Sequence, residues 1–346
     1  MKTRDTKNLG LFPELNGVEK YRDKERTTEK LKRLDLHGIL KKKILPLCRI
    51  KYGEIWEDPI KGHKVGVLDA TKIEDVKKIL GNRKAELIVN DPPYNVMVGN
   101  ANTENLFKLS LKEYLNFSEK WINNAMKIMA NNAHLYIWIG ADYKDNFQPL
   151  PDIMVLMRKF KELKPRNFIT LRNQRGYGTQ KNWMWIRQEL LHYVRGEPEF
   201  KVVYTDIPKV LKGYYKVVNG KLLENLERSK SNTIRPGNVW IDIQQVFYRL
   251  EENVSGCYAQ KPMKAIERII LTSSMRGNLI VDFFAHSGTT LIAGEMLNRK
   301  VFTFDIDPIF AEITIRRLEL YRKTANTGWQ WRNPFPEIGD KEEAKK

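Results

Sequence analysis

Short apolar runs alternate with stretches of helical spacing over most of this chain. Glu86 to Asn90 (Glu-Leu-Ile-Val-Asn) reads as a buried strand, as do His134 to Ile139, Leu279 to Phe284 and Val301 to Asp305. His63 to Asp69 reads as another, ending in an acid. After it, Ala70 to Leu80 predicts a short helix stopped by Gly81. Leu111 to Met129 predicts a longer helix with Tyr114, Phe117, Trp121 and Ala125 on one face. Pro149 to Leu163, Lys264 to Met275, Thr289 to Leu297 and Pro308 to Thr324 complete the predicted helices. This strand–helix–strand order predicts a parallel sheet. Asn167 to Arg172 and Glu189 to Val194 predict two strands around a loop, Asn173 to Trp185, rich in Arg, Gly and aromatics. Asn219-Gly220, inside Tyr214 to Lys221, is a hairpin signal and suggests a small module inserted beside the sheet.

One strand end stands out. Asn90 is followed by Asp91-Pro92-Pro93-Tyr94. Two successive prolines have no N–H to give a ladder, so the strand must stop at Asp91. It leaves a carboxylate, stiff carbonyls and an aromatic ring at its carboxyl end, where open α/β sheets place ligands. The Asn-rich stretch from Asn95 to Asn105 then reads as a lid over that end.

Charge changes the picture more than composition does. The 346 residues carry a formal charge of +18, which favours a polyanionic partner, nucleic acid before membrane. Residues 158–235 hold eighteen Lys/Arg against seven Asp/Glu, interleaved with tyrosines, and this favours nucleic-acid contact over a merely solvated face. Arg175, Lys181, Arg187, Lys212 and Lys216 are the candidate DNA contacts. Residues 1–51 carry fifteen Lys/Arg against seven Asp/Glu, over loop and a helix within Val18 to Lys43, and read as a DNA-contacting arm or a polar extension. Cys48 and Cys257 alone provide neither a disulfide framework nor a metal site. No apolar run approaches the ~20 residues of a membrane span, so a cytoplasmic protein is expected.

A second site follows from Asp282 to Thr290, a strand–loop–helix with an acid at one end and Gly288 in the turn. Asp305 closes the next strand and suits the vicinal hydroxyls of a ribose. The loop lacks G-x-G-x-x-G, so a nucleoside without phosphates fits best, and S-adenosylmethionine is the expected cofactor. Asp282 would take its ammonium, and Ser287, Gly288, Thr289 and Thr290 would line its methionine end.

Together these residues resemble the DNA amino-methyltransferases, which modify exocyclic nitrogens of adenine or cytosine. The resemblance covers roughly residues 63–323, in the motif order of the permuted beta class. Asp91-Pro92-Pro93-Tyr94 is similar to the family's catalytic tetrapeptide, and Asp282 to Thr290, with Phe284, to its cofactor loop. Gln260-Lys261-Pro262 resembles the segment that approaches the methionine part, and Asp69-Ala70 the pair that faces the cofactor adenine. The resemblance implies that Asp91 also borders the cofactor. The resemblance implies a Rossmann-like S-adenosylmethionine-dependent methyltransferase fold, a mostly parallel sheet with helices on both faces and a small inserted target-recognition region. The implied division is a basic extension (1–62), a catalytic half (63–199), a target-recognition region (200–256), a cofactor half (257–324) and a tail (325–346) that ends in a disordered charged run. The implied partner is double-stranded DNA, with a homodimer and a cognate restriction endonuclease left open.

The sequence departs from the family at Phe283, which replaces a proline, and at His286, which replaces a glycine. A side chain at that glycine position restricts φ and backbone approach. Cys257-Tyr258-Ala259 also differs from the common His-Pro-Thr. The expected reaction is site-specific methylation of adenine N6. In it Asp91 and the Pro92 carbonyl accept the amino hydrogens, and Tyr94 stacks on the flipped base. The alternatives are methylation of cytosine N4 and a non-catalytic DNA-binding protein that kept the fold.

Overall fold

The computed structural model describes residues 34, 38–93, 109–140, 148–177, 181, 183–209, 214–225, 231–246, 250–330 and 332–338. Expectations for Tyr94, for Asn95 to Asn105, for Lys212, for most of the N-terminal basic stretch and for the final charged run therefore lie outside the described residues. The first described helix is α1 (Gly38–Ile44), followed by β1 (Ile55–Glu57), β2 (Lys64–Val67), α2 (Ile73–Leu80), β3 (Ala85–Asn90), α3 (Leu111–Ile128) and β4 (Met129–Ile139). Then come α4 (Pro149–Met157), β5 (Lys164–Tyr177), β6 (Trp185–Arg195), β7 (Tyr214–Val218), β8 (Lys221–Asn225) and β9 (Val239–Trp240). The chain closes with α5 (Met263–Ser273), β10 (Leu279–Asp282), α6 (Thr289–Met296), β11 (Lys300–Asp305) and α7 (Pro308–Thr324).

Nine strands form one sheet in the order β1-β2-β11-β10-β3-β4-β6-β5-β9, and β7 and β8 form a separate hairpin. The five strands from β2 to β4 are parallel to one another. From β3 the chain moves outward to β4, whereas from β10 it moves the other way to β11. The junction of β3 and β10 is therefore the switch point of the sheet, whose carboxyl edge is where open α/β sheets place their ligands.

Alternation within β3 explains why it reads as a continuous apolar run. Ile88 enters a core under α2, α3 and α4, while Leu87 and Val89 enter a second core under α5, α6 and α7; an irregularity in the pairing between Ala85 and Leu87 puts Ala85 on the same side as Ile88. Local chemistry sets the helix ends. Ser110 and Glu113 form a capping box at α3, and the Asp307 carboxylate accepts the Ile309 N–H ahead of Pro308 at α7. Asn219 (φ 51°) and Gly220 (φ 72°) take the two left-handed positions that the β7–β8 turn requires.

Several predicted boundaries move. Helix α2 begins at Ile73 and not at Ala70, because Asp69 accepts the N–H and hydroxyl of Thr71 and holds the chain in a turn. Helix α4 stops at Met157, and tight turns then carry Phe160 and Leu163 into the core. The expected loop from Asn173 to Trp185 is shorter, since β5 runs on to Tyr177 and β6 begins at Trp185, where the two pair again after a register shift. The described part of the basic N-terminal segment is packed. Leu34 and Ile44 are buried with Val254, Ile309, Ile313 and Phe335, and Arg49 pairs with Glu312 and Glu319 of α7. Among the described residues, no helix is long and apolar enough to cross a membrane.

Candidate active site

Four carboxylates follow four neighbouring strands along one edge. Across the sheet they run Asp69 after β2, Asp305 ending β11, Asp282 ending β10 and Asp91 after β3. The first two are joined by the Leu68 N–H, which donates to the Asp305 carbonyl. The last two are joined by Asn90, whose buried Oδ1 accepts the Phe283 N–H at 3.0 Å. That bond ties the two halves of the crevice together across 193 residues of sequence.

Asp91 is 24% exposed and meets the ammonium of Lys261, 7% exposed, at 2.7 Å. The ammonium also lies 5.4 Å from the centroid of the buried Trp138 ring. Gln260 fixes this arrangement by accepting the Val254 N–H and donating to the Glu252 carbonyl. Glu252 in turn accepts the Met263 N–H at the start of α5. The segment expected at the methionine end thus reaches the strand end that carries Asp91.

Asp282 is buried, and burial pushes its carboxyl up to about 7 despite hydrogen bonds from the Thr290 side chain and the Phe284 N–H. Asp305 rises to about 6 for the same reason, although its two oxygens accept the His286 and Asp307 N–H groups. The bond from Phe284 to Asp282 also explains why β10 stops at Asp282 and not at Phe284. Phe284 packs edge-on against Trp121, with centroids 5.7 Å apart. Gly288 has φ 75° at the head of α6, and a Cβ there would stand 3.0 Å from Thr314 Cα.

Part of the loop faces away from the crevice, toward Arg317. This fully buried guanidinium donates to the Ser287 carbonyl, the Thr289 hydroxyl and the Glu252 and Thr327 carbonyls, and burial lowers its pKa to about 10. Ala70 is held through its carbonyl, which accepts from Asn124 Nδ2 at 2.9 Å.

The comparisons with known proteins fit this arrangement. The N6/N4 methylase family, described as DNA methylase, matches residues 85–316. The chain belongs to this family. The methylase is 26% identical over 242 residues to the type II methyltransferase M.HpaI of Haemophilus parainfluenzae, a match spanning 70% of each chain. It is 24% identical over 263 residues to the DNA adenine methyltransferase YhdJ of Escherichia coli K12, over 73% of this chain and 82% of that one. The cytosine-N4-specific PvuII DNA methyltransferase shares the fold at a TM-score of 0.50 and 16% identity, covering 77% of this chain and 89% of its own.

Within the methylase the two departures at the loop are absorbed by the fold. His286 adopts φ 43°, the left-handed conformation expected of the glycine it replaces, and its ring packs 4.8 Å from that of Phe310. Phe283 is buried against Phe304 at 4.9 Å between centroids. The DNA-side candidates are more scattered. Lys181 and Arg187 are exposed on the β5–β6 hairpin, Arg187 pairing with the buried Glu189 at 3.0 Å. Arg175 lies in β5 and Lys216 in β7. Asn90 and Arg317 were not among the residues expected at the site. Their signals were a buried amide closing an apolar strand, and an arginine continuing the Ile309, Ile313 face of α7.

Proposed function

We propose that this methylase transfers a methyl group from S-adenosylmethionine to the exocyclic N6 of adenine flipped out of duplex DNA. The observation that carries the reading is the Asp91–Lys261 pair at the switch point, beside the buried acids of β10 and β11. The residues present fit the cofactor. Each oxygen of Asp305 has one backbone donor and a remaining acceptor site suited to a ribose hydroxyl. Asp282 offers a desolvated carboxyl to an ammonium, and the buried Nδ2 of Asn90 has no hydrogen-bond partner among the described residues. Asp69 and Ala70 border the adenine end, while Phe284, Gly288 and Thr290 border the methionine end; the Ser287 carbonyl and the Thr289 hydroxyl are taken by Arg317. When bound, S-adenosylmethionine supplies the electrophilic methyl.

An aromatic amino nitrogen is a weak nucleophile, because its lone pair is delocalised into the ring. Asp91, with Lys261 fixing one oxygen, is held as an acceptor for one N–H of that group. The Pro92 carbonyl accepts the other. Together they draw the nitrogen toward tetrahedral geometry and stabilise the positive charge that develops on it. The geometry is set before the base arrives, so positioning contributes to the rate. The proton leaves to solvent. Tyr94 follows as the stacking ring for the flipped base.

Support for adenine comes from Asp91 heading the tetrapeptide and from the similarity to an adenine methyltransferase. The type II relative supports duplex DNA as substrate and a place beside a restriction endonuclease. The test is to express the chain in a host without DNA methylation and map modified bases. N6-methyladenine at one recurring sequence is expected; N4-methylcytosine in its place, or no modification, contradicts the reading.

A further inference from the structure

The β5–β6 hairpin has a feature that methyl transfer does not use. Strand β4 ends at Ile139, which pairs with Glu189 of β6. Beyond that point β5 and β6 pair at Arg172 and Arg187, the register shifts, and they pair again at Tyr177 and Trp185. Trp185 lies four residue steps before Glu189, so β6 overhangs the end of β4 by about 13 Å at ~3.3 Å per residue. It overhangs the same carboxyl edge that carries Asp91, because β3, β4 and β5 all run toward that edge.

At its end Trp183 is 89% exposed and Met184 61% exposed. A large indole presented to water at the tip of a paired ribbon is unusual, since aromatic surface of that size normally goes to a core or an interface. Its neighbours Arg172, Lys181 and Arg187 are exposed and basic. Exposed apolar side chains flanked by cations have the chemistry of a wedge that enters a base stack while the flanks meet phosphate.

We propose that Trp183 is the wedge of this methylase, inserting into the duplex where the target base leaves and holding that base out on the Asp91 side. The inference rests on the DNA-methylating reading and assigns the residue that stabilises the flipped state. The indole stacks on the bases bordering the gap and offsets the stacking lost when the target leaves. Trp183 is then needed where flipping is costly and dispensable where the target base is already unpaired.

The test compares wild type, Trp183→Ala and Trp183→Phe on two duplexes that carry the sequence the wild type methylates in cells. One has the target correctly paired, the other has it opposite an abasic position. Trp183→Ala is expected to lose about 10- to 100-fold in kcat/KM on the paired duplex. On the abasic duplex it should stay within about threefold of wild type, and Trp183→Phe should recover most of the loss. A Trp183→Ala protein as active as wild type on the paired duplex overturns the proposal, as does an equal loss on both duplexes. Absence of methyl transfer by the wild type itself would instead remove the reading on which the wedge rests.

Discussion

Asp91 and Asp282 end adjacent strands of one sheet, yet their surroundings differ in kind. Asp91 is partly exposed and matched by an ammonium at 2.7 Å. Asp282 is buried beside hydroxyl and amide donors, and its carboxyl is pushed up to about 7. The first is set up to stay an acceptor whatever is bound. The second is set up to gain from an incoming cation, which would draw off its proton and replace the lost solvation. On the proposed reading, similar strand ends serve different halves of a reaction, one facing the base and one facing the donor.

Removing either acid should break a different quantity. Asp282→Ala is expected to raise the S-adenosylmethionine Kd by about 10²-fold, the cost of truncating one partner of a buried charge pair, with little change in transfer at saturating cofactor. Isothermal titration reads the first and a saturated assay the second. Lys261→Met should act on the other side, lowering transfer by about 10-fold through loss of a fixed charge partner. A loss confined to cofactor affinity would instead return Lys261 to the methionine end.

The pH dependence sharpens the same contrast. Below about 7 the Asp282 carboxyl of the ligand-free protein holds a proton that must leave before an ammonium can pair with it. Affinity should therefore fall as pH drops from 7.5 to 5.5, approaching a limit of ~10-fold per unit, and level off above 7. In Asp282→Asn the slope from this group should vanish, leaving the weaker contribution of Asp305. Titrations in buffers of different ionisation enthalpy would detect the released proton.

The two left-handed positions of the loop give the smallest effects. Gly288→Ala must place a Cβ 3.0 Å from Thr314 Cα at φ 75°, and a loss of about 2 kcal/mol in unfolding free energy is expected. At the other position, His286→Gly relieves a φ of 43° but gives up the ring contact with Phe310 and loosens the unfolded chain. Its net change should stay within about 1 kcal/mol, as read by denaturant melts.

Much of this arrangement is legible in the sequence, for identifiable reasons. Pro92-Pro93 can only end a strand, so the order of residues alone puts Asp91 at a strand end. The spacing of Asp282, Gly288 and Asp305 likewise defines a strand–loop–helix–strand. What is not legible depends on partners distant in sequence. Nothing local brings Asn90 to Phe283, or Lys261 to Asp91 across 170 residues. The hairpin beyond Arg172 reads as loop because its Gly and Arg residues lack strand alternation; each strand is completed by its neighbour. Arg317 is hidden because a buried guanidinium looks like a surface residue until four acceptors close around it.

The most direct test of the two-sided site is a single-turnover measurement on Asp91→Ala with both S-adenosylmethionine and target duplex saturating. Cofactor and DNA Kd values within about threefold of wild type are expected, with transfer at least ~10²-fold slower. Transfer at near wild-type rate, or a loss explained wholly by weaker binding of either ligand, would contradict the account.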